Sequence, residues 1–239
     1  MSKKIRRRPG TGPGGAGLAD GMKVDNELGV VDVADVEAVL QDNFGRITGC
    51  YNRAGKAQKY AQGQVLLRFV LAGDGRTDDV LVVESDLGNY EVERCLVEVG
   101  RKLVFRAPEG RKSTTFDYPV EFRPSGHMAV LDIDGLKIDR DLATLAPQLS
   151  ICGPLGKDPV AAIMYIEPNG SVGSVGLTSS STLDEDVGDC VVQTMRGWHL
   201  TTTLPGRVLR CNFVVPNVAV ATDGPRRSSL RVVARRRTR

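Results

Sequence analysis

Histidine is almost missing from this chain: His127 and His199 are its only two in 239 residues. No spacing pairs either with a cysteine, so the Cys-His arrangement of nucleophilic catalysis is not suggested. No CxxC occurs, which removes the usual signature of a zinc ribbon or a thioredoxin-like redox site. The glycine clusters "GDG" (73–75) and "GSVG" (170–173) lie between β-rich runs. A phosphate-binding loop instead leads from a strand into a helix. No window approaches the roughly 20 apolar residues of a membrane span, and no apolar run follows the first basic residues as a secretory leader would require. Aromatics make up 5% of the chain, so its cores are modest. These absences point away from an enzyme: no catalytic residue, metal, cofactor or small-molecule substrate is expected.

The composition that remains, 41% hydrophobic and 26% charged, is globular and suits two domains of about 100 residues each. The formal charge of +3 hides an asymmetry. Twelve of the 32 basic residues lie at the ends: Lys3, Lys4, Arg6, Arg7 and Arg8, then Arg226, Arg227, Arg231, Arg235, Arg236, Arg237 and Arg239. The body is therefore acidic, with 29 carboxylate residues against the remaining twenty basic ones. Basic ends of this kind either solubilise or bind nucleic acid or anionic lipid through counterion release. Residues 9–22, "PGTGPGGAGLADGM", have the composition of a linker that packs no core. The expected division is a disordered basic arm over 1–27, domains over 28–124 and 125–218, and a disordered basic tail over 219–239.

An internal repeat organises the body. The run from Val65 to Phe105 aligns without a gap, at an offset of 95, on the run from Val160 to Leu200. Gly75 falls on Gly170, Ser85 on Ser180 and Cys95 on Cys190. Each unit reads helix, strand, strand, helix, strand, an α+β layout with helices packed on one face of a small sheet. In the first, Val36, Val39, Leu40, Phe44, Ile47 and Tyr51 recur at helical steps, predicting one amphipathic helix over 34–53. "AGDGR" is a hairpin turn. Val92, Cys95, Leu96, Val99 and Leu103 are the buried stripe of a second helix, capped near Gly88 or Asn89. "KSTTFDYPVEF" is the last strand, and Pro119 within it argues for an edge. The second unit repeats this, with helices over 141–152 and 184–198 and strands near 160–166, 172–178 and 207–215. Asp184, Glu185 and Asp186 read as charges at a helix N-terminus. "MAVLDIDGLKI" between the units suits either a hairpin linker or a strand added to one of the sheets.

Each unit places one cysteine late in its first helix and one early in its second. Cys50 with Cys95 and Cys152 with Cys190 are the pairs expected to meet over the sheet within disulfide range. In an oxidising compartment they form two disulfides. In a reducing cytosol they are buried thiols behaving as small hydrophobes. Cys211 has no counterpart and is read as a lone buried thiol.

"CY" at 50–51, "GQV" at 63–65, "GDG" at 73–75, "VESDLGNYEVERCL" at 83–96, Phe105 with Pro108, and "DYPVEF" at 117–122 give the first unit a resemblance. Over about residues 34–124 it resembles the C-terminal domain of the myxobacterial AgmX/PglI proteins, relatives of the TonB C-terminal domain. The second unit is a degenerate copy. The resemblance implies two tandem TonB-like domains serving as a protein-binding adaptor in the periplasm or cell envelope, in gliding motility or in energy transfer to the outer membrane. It also implies recognition of an extended partner peptide by edge-strand addition. Thr115, Phe116, Tyr118 and Val120 are the contact strand this expectation selects. The competing expectation is a cytoplasmic scaffold whose basic tails touch nucleic acid or anionic lipid.

Overall fold

In the computed structural model, which describes residues 16–18, 23–25, 31–54, 60–123 and 130–216, the first helix starts where Asp32 caps it. The Asp32 carboxylate accepts from the Ala34 N–H at 2.8 Å, and α1 runs over Val33–Asp42. The single helix expected over 34–53 is two, because Asn43 leaves helical geometry at φ −99°, ψ 8° before α2 begins at Phe44–Ala54. Asn43 Nδ2 donates to the Val39 carbonyl at 2.9 Å. A short polar side chain competing for backbone partners is a common way to end a helix turn.

Next come β3 (Gly63–Leu71) and β4 (Thr77–Ser85), joined by a turn in which Gly75 takes φ 90° against the backbone of Phe105. Then α3 (Tyr90–Gly100) is capped by Asn89, whose side chain accepts from the Val92 N–H at 3.0 Å, and β5 (Thr114–Phe122) closes the unit. Val36, Leu40, Ile47, Val92 and Leu96 from the helices meet Val65, Leu67, Phe69, Phe116, Tyr118 and Val120 from the strands in one core. Phe69, Phe105 and Phe116 sit at its centre with ring centroids 5.0–5.6 Å apart.

The second unit repeats the plan with β6 (Val130–Asp134), α4 (Asp139–Leu145), β7 (Val160–Ile166), β8 (Val172–Ser179), α5 (Glu185–Arg196) and β9 (Val208–Val214). The helix expected over 141–152 is α-helical only as far as Leu145 and continues as a 3-10 turn over Ala146–Cys152. Pro147 lies in its first turn, where its lack of an N–H costs least. The strands keep one order in both halves, β5-β3-β4 and β9-β7-β8. This is the α+β layout of the repeat, built twice.

The outer strands depart from expectation. Segment 130–134, open between linker and strand in the sequence, pairs in parallel with β9. In the first unit, β1 (Ala16–Leu18) and β2 (Lys23–Asp25) pair antiparallel with β5. Residues 1–27 are therefore not wholly a disordered arm: two pieces are sheet, because backbone pairing on an edge needs no apolar pattern. Residues 219–239 and His127 lie outside the described residues.

The two units pack on each other through positions related by the repeat. Arg94 of α3 and Asp189 of α5, equivalent at the offset of 95, form an ion pair at 2.8 Å. Arg101 bonds Glu185 at 2.9 Å, and its equivalent Arg196 bonds Glu91 at 3.2 Å. The two arginines are equivalent and their acids are one position off equivalence, Glu91 matching Asp186, so the contacts are reciprocal only approximately, about a pseudo-two-fold axis. Tyr60, Ile163, Tyr165 and Val208 form a small separate core beside it.

Candidate functional site

Strand β5 carries the binding residues expected from the sequence, and its alternation decides which of them face outward. The Gln64 carbonyl accepts from the Asp86 N–H, so Gln64 directs its backbone groups to the β4 side. Successive residues of a strand point these groups to opposite sides. Val65 therefore faces β5, and its register partner Val120 faces back toward β3. Counting from Val120 along an unbroken ladder, Phe116 and Tyr118 also bond inward, whereas Thr115, Asp117, Pro119 and Glu121 aim their backbone at the outer edge.

This corrects the contact strand. Of Thr115, Phe116, Tyr118 and Val120, only Thr115 offers backbone groups to an added strand. Phe116, Tyr118 and Val120 are 1%, 4% and 1% exposed, their side chains spent in the core. The outward set is Thr115, Asp117 and Glu121, with Pro119 contributing a carbonyl alone. Period-two reading of "TTFDYPVEF" carried that signal.

The edge is also not vacant. Gly17 lies opposite Glu121, Lys23 opposite Asp117 and Asp25 opposite Thr115. The pairing breaks opposite Tyr118 and Pro119, while the ladder to β3 runs through Leu66↔Pro119 without interruption. The placement suits proline, whose missing N–H falls on the outer side. On the sheet's outer face Asp117 takes a two-pronged bond from Arg68, at 2.7 and 2.8 Å.

Both cysteine pairs lie at bonding distance. Cys50 and Cys95 have Cα atoms 5.6 Å apart, and Cys152 and Cys190 5.5 Å apart, inside the range disulfides occupy. The first ties α2 to α3; the second ties the 3-10 turn after α4 to α5. The Arg53 guanidinium stands 3.0 Å from Cys95 Sγ. Cys211 is buried in β9 and free, and burial pushes its thiol up to about 12, so it is protonated at neutral pH. Among the described residues no group of three His, Cys, Asp or Glu side chains is placed to hold a metal ion, and no helix is long and apolar enough to cross a membrane.

The sequence marks Glu93 only as an acid in the first turn of a helix, beside Glu91. Glu93 projects from α3 into the seam between the units and is 1% exposed. Its carboxylate accepts from the Ser85 hydroxyl at 2.8 Å and, across the seam, from the Leu177 N–H of β8 at 3.1 Å. Burial pushes its carboxyl up to about 7, against the pull of the Ser85, Leu177 and Asn89 donors. Nearby, the Ser174 hydroxyl donates to the Gly88 carbonyl at 2.6 Å. Gly88 takes φ 64° where a Cβ would meet Ile163 Cγ2 at 2.7 Å. The repeat equivalent of Glu93 is Gly188, so a mismatch between the units was the available signal.

These features define a two-unit α+β chain with a stapled helix pair in each unit and a strand-accepting edge on the first sheet. Comparison with protein-family models, curated proteins and solved structures finds no match for it.

Proposed function

We propose that this chain is a non-enzymatic adaptor of the bacterial cell envelope that binds an extended segment of a partner protein along the outer edge of β5. The observation that supports this reading is that the edge already accepts extended chain, antiparallel and in register, at Thr115, Asp117 and Glu121. Backbone bonds supply affinity in such recognition, and flanking side chains supply selectivity. The resemblance of residues 34–124 to the AgmX/PglI and TonB C-terminal domains favours an envelope partner, in gliding motility or in force transfer to the outer membrane. Two cysteine pairs at bonding distance suit an oxidising compartment such as the periplasm.

The test is selection of extended peptides on a full chain whose arm is weakened by Gly17→Pro, Lys23→Pro and Asp25→Pro. These replacements remove the donors opposite Glu121, Asp117 and Thr115. Selected peptides should shift the backbone amides of Thr115, Asp117 and Glu121 in NMR spectra and leave those of β8 unmoved. Peptides that instead move residues lining the apolar groove between α4 and β9, around Leu142, Ala146 and Phe213, would overturn the assignment. Failure to select any peptide would do the same.

A further inference from the structure

Resting on the reading of β5 as a partner-binding edge, we propose that residues 16–18 and 23–25 are an intramolecular competitor holding that edge closed until a partner strand displaces them. The arm covers each outward residue of β5 that has an N–H to offer there: Thr115, Asp117 and Glu121. A partner strand needs the same three, so the two occupants exclude one another.

The arm is also the least firmly held strand of its sheet. On the inner side β3 meets β5 over nine consecutive register pairs, from Gly63↔Phe122 to Leu71↔Thr114. On the outer side the arm makes three pairs, then a gap, then three more. Between the two paired pieces the register passes from Leu18↔Val120 to Lys23↔Asp117, a slip of two. Pro119 imposes the interruption, because no strand can receive an N–H from it. Each half of the arm can therefore detach without the other, and a partner can enter one half at a time.

The second unit supplies the contrast. There β6 closes β9 over five consecutive pairs, Val130↔Val208 to Asp134↔Asn212. Its grip is completed by Asp132, which takes a forked ion pair from Arg210. That edge carries no proline and no gap. The first unit is thus the one built to open, and its occupant is an extended peptide running antiparallel to β5, with slack opposite Pro119.

A closed edge weakens apparent affinity by the fraction of molecules that are open. The tethered arm competes at the effective concentration of a short linker, roughly millimolar. Opening the edge should therefore tighten binding by about tenfold or more.

The experiment uses a synthetic peptide of residues 14–27 as probe, titrated into three full-length proteins and followed by backbone amide shifts on β5. The first is the native chain, and the second the Gly17→Pro, Lys23→Pro, Asp25→Pro chain. The third carries Gly17→Cys and Glu121→Cys, positions paired in register at a spacing that a disulfide tolerates. The proline chain should bind about tenfold or more tighter than the native one. The oxidised cysteine chain, closed over the Gly17 half, should bind more weakly than the native one and leave the amide of residue 121 unmoved. Mild reduction that opens that link while the two structural disulfides stay intact should restore native behaviour. Equal binding by the native and proline chains overturns the competitor while leaving β5 an acceptor. No binding by the proline chain at millimolar peptide overturns the acceptor edge itself. Undiminished binding by the oxidised chain places the peptide elsewhere and overturns both. Should the proline chain misfold, the oxidised and reduced cysteine chains still decide between a closed and an open edge.

Discussion

Replacing Glu93 by glutamine should make the stability of this chain less dependent on pH. In the folded protein the Glu93 carboxyl titrates at about 7, against an ordinary value of 4.5. Its folded-state affinity for the proton exceeds that of the unfolded chain, so stability is fully present below pH 4.5 and is lost as pH rises toward and through about 7. At 1.36 kcal/mol for each pH unit between the two values, the loss is roughly 3 kcal/mol. The group is 1% exposed, so solvent screening removes little of it. The charged groups around it are already engaged: Arg94 with Asp189, and Arg101 with Asp79 and Glu185. Glutamine keeps an oxygen for the Leu177 N–H and stays neutral. Urea unfolding of both proteins at pH 5 and pH 8 measures the effect. Near pH 5 the two should agree within about 1 kcal/mol, the worth of one hydrogen bond. At pH 8 the glutamine variant should be the more stable by roughly 3 kcal/mol. Taking the difference between variants at each pH cancels every other titrating group. Two curves that stay parallel from pH 5 to pH 8 would refute the buried, protonatable Glu93.

Three further outcomes rest on the cysteine pairs and the seam. Paired replacement Cys50→Ala/Cys95→Ala, or Cys152→Ala/Cys190→Ala, frees loops with sequence separations of 45 and 38. Each should cost about 4 kcal/mol in urea melts of the oxidised protein. Alkylation in denaturant of unreduced protein from native cells should find only Cys211 free, and four more free thiols would sink the envelope reading. At the seam, Arg94 and Asp189 are 40% and 39% exposed, so their pair is worth at most about 1 kcal/mol. Arg94→Asp should lose that and add repulsion, and Asp189→Arg in the same chain should recover most of it. A double-mutant cycle with no coupling would contradict the pseudo-symmetric seam.

Much of the architecture was legible because its signals are local. The β-rich runs became β3, β4, β5, β7, β8 and β9, and the stripes around Leu96 and Val191 became α3 and α5. The cysteines fell into pairs because a duplicated unit states its spacing twice. Where expectation failed, the pattern was overridden. Asn43 split a helix whose apolar stripe runs straight through it, and another stops being α-helical at Leu145, two residues before Pro147, and goes on as a 3-10 segment. The contact strand was misread because Phe116, Tyr118 and Val120 are its conspicuous residues, while an edge is read through the backbone of the plain ones between them.

By itself, then, the sequence determined the duplicated α+β unit, its strand order along the chain and the partners of its four stapling cysteines. These rest on periodicity and on repetition, which any linear reading can detect. Only the tertiary structure decided that the arm lies on β5, that β6 closes β9, and that Glu93 bridges the seam. The arm docks through peptide groups that every residue carries, so its sequence bears no mark of the strand it joins. Glu93 becomes a buried, bridging acid only once a backbone N–H some eighty residues away is brought against it.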